Sequence, residues 1–158
     1  MPPFLSFCND SAIIRDAKPK KWGENVPGVR THLTTEEQVI ALTFDACGGK
    51  EGSGYDEKLT GRRPLFFRSG TAYYIDIAAG VVQDLGFEVA GYNALGDAGA
   101  TYNTEQVYKA LLKARSGSIV LAHMNHPEKD TAEGIMKAIP ELQKAGYRFV
   151  LLTSYTLN

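Results

Sequence analysis

A chain of 158 residues fits a single domain, long enough to bury most of its apolar surface. Hydrophobic residues make up 44% and charged residues 22%, and 17 basic against 18 acidic side chains leave a formal net charge of −1. That balance excludes the basic footprint of a nucleic-acid binder and a polybasic membrane patch, and no run approaches the roughly 18 apolar residues of a membrane span.

Residues 1–36 read as an irregular segment, with Pro2, Pro3, Pro19, Pro27, Gly23 and Gly28 and little periodicity. The opening MPPFLSFCNDSAIIRD has no basic n-region and no long apolar core, so no secretion signal is visible in it. Cys8 and Cys47 form one bridge or none, and two free thiols are the plainer reading. From residue 37 to 158 short apolar runs alternate with helical stretches. The expected strands are Val39–Phe44, Leu65–Arg68, Phe87–Tyr92, Ser118–His123 and Tyr147–Leu152, whose continuous hydrophobicity suits strands covered on both faces.

Three helices are expected between them. Tyr74–Leu85 is stopped by Gly86, and Thr104–Ala114 opens with Thr104 as its N-cap. Thr131–Ala145 ends at Gly146, with Pro140 inside it expected to kink it or start a new turn. Strand–helix–strand order with short connections predicts an α/β fold with a parallel sheet or partial barrel. One connection does not suit that pattern. The helix-like start at Gly52–Leu59 runs into Thr60-Gly61-Arg62-Arg63-Pro64 before it can cover a sheet face.

In parallel α/β folds chemistry collects at the carboxyl ends of the strands. Asp45, Arg68, Asn93, Asp97 and His123 stand there. Asp45 could act as a general base, His123 as a proton donor, and Arg68 could pair with Asp45 or bind an anion. Gly48 and Gly49 would let a substrate approach closely. Each residue also has a plainer reading: a turn cap for Asp45, a structural or surface charge for Arg68, a core histidine for His123, and a turn residue for Asp97 in Gly96-Asp97-Ala98-Gly99. His126 precedes Pro127 and reads as a loop residue, and His32 is isolated. The His-x-x-x-His pattern, a P-loop, a dinucleotide fingerprint and a Gly-x-Ser-x-Gly elbow are all absent from the sequence.

These residues resemble the motifs of the NodB-homology polysaccharide deacetylases, metal-dependent carbohydrate esterases that remove N- or O-acetyl groups from sugar polymers. Thr43-Phe44-Asp45-Ala46 resembles the family's Thr-Phe-Asp-Asp motif, and Phe67-Arg68-Ser69-Gly70 a variant of its Arg-Pro-Pro-Tyr motif. Gly96-Asp97 lies where the family has its Asp-x-x-Asp-Trp segment, and Ile119-Val120-Leu121-Ala122-His123 resembles its Leu-x-His motif. The resemblance implies a deformed β/α barrel of about five strands and a hydrolase acting on acetylated polysaccharide or oligosaccharide in the cell envelope or outside it. It also implies Asp45 as the base, His123 as the acid, Arg68 orienting Asp45, Asp97 tuning His123, and Leu121 lining an acetyl pocket. A divalent metal, zinc or similar, would bind the attacking water.

The sequence departs from that pattern at Ala46, where the family has a second aspartate, and in lacking the two-histidine metal motif. The expected place of that motif coincides with the ill-fitting connection at residues 52–64, as though one or two βα units were missing after the first strand. From the sequence, the expectation is therefore weak or no metal binding. Three outcomes stay open: an active deacetylase, a carbohydrate-binding remnant without a metal, and a deletion form with an exposed sheet edge.

Overall fold

The computed structural model describes residues 17–45 and 61–158. The expectations at Gly48, Gly49, Ala46, Cys8, Cys47 and most of the connection after the first strand therefore lie outside the described residues. At the centre is strand β3, preceded by two very short strands. These are β1 (Trp22–Gly23), β2 (Val29–Arg30) and β3 (Val39–Asp45). After them come β4 (Phe66–Phe67), β5 (Tyr74–Ile75), α1 (Asp76–Asp84), β6 (Glu88–Ala90) and β7 (Ala94–Leu95). The chain finishes with α2 (Thr104–Leu111), β8 (Ser118–His123), α3 (Thr131–Lys144), β9 (Arg148–Phe149) and a 3-10 turn at Leu152–Ser154.

The fold is α/β with parallel sheets. One sheet has the order β7-β8-β3-β9 and a second β2-β6-β4, every pair parallel. The chain passes between the two sheets just after β6. Gly91 still donates to the Arg30 carbonyl, while Asn93 already donates to Ile119 in β8. This changeover explains why β6 is shorter than the expected Phe87–Tyr92.

Strand β3 alternates between two covered faces, as its unbroken hydrophobicity requires. Ile40 and Leu42 face α2 and α3, together with Val120, Ala122, Val107, Leu111, Ile135 and Leu142. Val39 and Ala41 face the other way, into a cluster with Ala90 of the second sheet, Ile119, Leu33 and Leu157. A third cluster under α1 joins Val26, Tyr74, Ala79 and Val89.

Several element boundaries differ from the sequence expectation, each for a local reason. Tyr74 and Ile75 pair antiparallel with Trp22 and Gly23, so the helix starts only at Asp76. Asp76 accepts from the Ile77 and Lys20 amides there. The segment read as irregular thus supplies β1 and β2, too short to show a pattern. The α2 N-cap is Asn103 rather than Thr104. Its side chain accepts from the Gln106 amide at 2.9 Å while Gln106 Oε1 accepts from the Asn103 amide, a reciprocal capping box.

Pro140 sits within one continuous helix rather than starting a new turn. Ala138 and Leu142, both in the core, hold that stretch against the sheet. Helices α1 and α3 both stop as expected at glycine. Gly86 and Gly146 have φ of 82° and 89°, and the following residues, Phe87 and Tyr147, donate back to Val82 and Leu142. The last strand is shorter than Tyr147–Leu152 because the chain leaves the sheet after Val150 donates to Ile40.

Candidate active site

In the parallel pairing of β3 with β8, Thr43 lies opposite Leu121 and Asp45 opposite His123. Side chains at paired positions share a sheet face, and alternate positions repeat it. Asp45, Thr43, Leu121 and His123 therefore all lie on the face away from α2 and α3, at the carboxyl end of the sheet. Backbone pairing, rather than a loop, fixes the spacing of the carboxylate and the imidazole. The Met124 amide continues the ladder by donating to the Asp45 carbonyl at 3.0 Å.

Arg68, just after β4, reaches across from the second sheet. Its Nη1 donates to Asp45 Oδ1 and to Thr43 Oγ1, each at 2.9 Å. Nε donates to the Ala90 carbonyl at 2.9 Å, and Nη2 to the Gly91 carbonyl at 3.0 Å. The side chains of the pair are only 9% and 14% exposed, so this is a shielded ion pair and not a surface one. Thr43 completes the arrangement by donating its own hydroxyl to the Val120 carbonyl at 2.7 Å.

His123 is held from its other side. Its Nδ1 lies 2.8 Å from Asp97 Oδ1, and its backbone amide donates to Asp97 Oδ2 at 2.7 Å. Asp97 is fully buried. It also serves the turn that its sequence suggests, because its carbonyl accepts from the Thr101 and Tyr102 amides. With Nδ1 committed to a carboxylate, Nε2 is the ring nitrogen left for exchange with a ligand.

The structure brings Asp45, Arg68, Asp97, Leu121 and His123 to one end of the sheets. Asn93 is occupied otherwise, its Oδ1 accepting from the Ile119 amide. His126 lies in the loop after β8, about half exposed and 3.2 Å from Glu128. His32 bridges to Ser118, at the opposite end of β8 from His123. Thr43 and Thr131, the latter donating to Asp97 Oδ2 at 3.0 Å, are additions that the sequence reading lacked. Thr43 was detectable, since it precedes Asp45 by the two residues of a strand repeat.

The donor set can be tested against a divalent metal. Among the described residues, no three His, Cys, Asp or Glu side chains converge as a metal site needs. One Asp45 oxygen is taken by Arg68, and both Asp97 oxygens are taken by His123 and Thr131. The described residues do not fit a metal.

The arrangement of two parallel sheets with helices packed against them is similar in fold to solved structures of CE4 carbohydrate esterases. A structure of the Bc1960 peptidoglycan N-acetylglucosamine deacetylase superposes with a TM-score of 0.68 at 14% identity, covering 81% of this chain and 92% of that one. A mutant of BA3943, described as a CE4 family pseudoenzyme with restored enzymatic activity, gives 0.69 at 14% identity, over 83% and 72%. In sequence, the chain is 30% identical over 107 residues to a peptidoglycan-N-acetylglucosamine deacetylase of Bacillus cereus, covering 65% of this chain. It spans 50% of that relative's length. No protein-family model matches. The homology to NodB-type polysaccharide deacetylases implied by the motifs is thus supported in sequence over those 107 residues and in fold over most of the chain.

Proposed function

We propose that this chain is a polysaccharide deacetylase-like hydrolase that removes acetyl groups from N-acetylated, or O-acetylated, sugar polymers. The observation that carries the reading is the parallel register that sets Asp45 beside His123, the first paired with the shielded Arg68 and the second with the buried Asp97. In this reading Asp45 takes a proton from water as the water oxygen bonds to the acetyl carbonyl carbon. His123, carrying protons on both ring nitrogens at this stage, gives the one on Nε2 to the departing amine as the carbon–nitrogen bond breaks and the carbonyl re-forms. The acid product ionises to acetate and the amino sugar leaves. Proton exchange with solvent then returns Asp45 to the carboxylate and the second proton to His123. Arg68 and Thr43 keep Asp45 aimed, and Leu121, 5% exposed, supplies an apolar wall on the same face. No step through a metal is derived, because the described donors do not form a site for one.

The test is acetate release from N-acetylglucosamine oligomers and from peptidoglycan, with zinc added and with chelator. Release that Asp45→Asn and His123→Gln each abolish supports the proposal. A second reading is favoured by the absence from the sequence of the family's two-histidine metal motif, together with Ala46, which stands where the family motif has its second aspartate. There the chain is a carbohydrate-binding remnant. Glycan binding by calorimetry, unchanged in Asp45→Asn and without acetate release under any metal condition, would establish that reading instead.

A further inference from the structure

Threonine at the start of a helix ordinarily serves to cap it. Thr131, the first residue of α3, does something else. The preceding residue, Asp130, makes no side-chain cap of its own helix. Asp130 Oδ2 instead accepts from the Thr104 amide at 3.1 Å, which ties the start of α3 to the start of α2. The Thr131 hydroxyl, on a residue only 5% exposed, donates to Asp97 Oδ2 at 3.0 Å. Asp97 Oδ2 also accepts the His123 amide, which leaves Oδ1 for His123 Nδ1.

We propose that Thr131 is a positioning residue that acts on His123 through Asp97. A carboxylate has two oxygens and rotates about its last bond. Two donors on Oδ2 oppose that rotation and keep Oδ1 in line with the imidazole. The neutral ring is thereby held in one tautomer, with Nδ1 protonated and with Nε2, which carries the second proton in the charged ring, facing the site. The Thr131 hydroxyl thus joins α3 directly to the carboxylate that holds His123, beside the apolar packing of Ile135 and Ala138 with Ala122 of β8. The tight packing of α3 on α2 reinforces this. A Cβ on Gly134 would lie 2.4 Å from Val107 Cβ and 2.9 Å from the Thr104 carbonyl, so α3 has little room to shift.

The proposal rests on His123 being the proton donor, and the experiment separates the two claims. Imidazole 15N spectra of the full chain are recorded for wild type, T131S, T131V and T131A. The His123 signals are assigned against the other two histidines with H32Q and H126Q. Wild type and T131S should show a single Nδ1-protonated tautomer with a slowly exchanging Nδ1–H. In T131V and T131A that proton should exchange about ten-fold faster, and the tautomers should mix. Acetate release should fall about ten-fold in kcat with KM unchanged, the size expected for one lost hydrogen bond, and should recover in T131S. An unchanged Nδ1–H in T131V or T131A, or a T131S spectrum as disturbed as T131V, overturns the proposal. If no variant releases acetate, the functional reading fails while the spectra still decide the role of Thr131. A purely structural hydroxyl would lower the melting temperature and leave the imidazole spectrum alone.

Discussion

Arg68 spends its guanidinium on acceptors from both sheets: two carbonyls of the β6 end, the Thr43 hydroxyl and the Asp45 carboxylate. A fixed fork of donors suits that task, and a lysine ammonium could not span it. Arg68→Ala should therefore destabilise the fold by about 3 kcal/mol, because it takes the ion-pair partner from a mostly shielded carboxylate and one donor from each of two carbonyls. Arg68→Lys should recover less than half of that, as read from urea midpoints. Tyr92 offers a pH test on the same side of the molecule. Burial, and then its 3.0 Å hydrogen bond to Glu24, push the phenol up to about 12. The folded state thus holds this proton more tightly than the unfolded chain, whose tyrosine titrates near 10. The resulting stability is complete below about pH 10 and is lost as pH rises towards 12. Tyr92→Phe should flatten that part of the stability curve. That Asp45, Arg68, Asp97 and His123 gather at one end of the sheets was legible, because strand ends are predictable from hydrophobic runs. Thr131 was not, since it meets Asp97 across 34 residues and sits in what reads as an ordinary helix start.

Among the elements, α2 and α3 carry the longest-range consequences for the site. Their contact is close because Gly134 lies directly over Val107. Gly134→Ala gains helix propensity of up to about 1 kcal/mol, yet it must push a backbone carbonyl and a β-branched side chain apart. A net loss of about 2 kcal/mol is expected by thermal unfolding, with His123 chemical shifts moving as α3 is displaced. Asn103→Ala, which removes the capping box of α2, should cost about 1 kcal/mol and leave the His123 signals in place. Long elements such as β8 and α3 were readable because their patterns run over several residues. Two-residue strands carry no period, so β1 and β2 became visible only through their distant partners, β5 and β6. The same pairing moved the start of α1, which no local signal could have shown.

At the scale of the whole molecule, residues 156–158 close over residues 31–34. The Asn158 carbonyl accepts from the Thr31 and His32 amides, Asn158 donates back to His32, and Thr156 accepts from Thr34. Leu157, 5% exposed, fills the cluster behind β3 and β8. Removal of residues 156–158 should lower stability by on the order of 4 kcal/mol, from one buried leucine and four backbone hydrogen bonds. A parallel α/β fold could be read from the alternation of runs, but strand order could not. Nothing local reports that β3 lies between β8 and β9. That order also has a consequence in time. Thr43 and the Val120 carbonyl it binds are 77 residues apart, so at roughly 5–20 residues per second β3 waits about 4–15 s during synthesis for its partner. Throughout that interval Val39–Phe44 is an apolar ribbon with both edges open. The pairing that later holds Asp45 beside His123 so firmly therefore makes birth on the ribosome the stage at which the chain is most open to sticking to its neighbours.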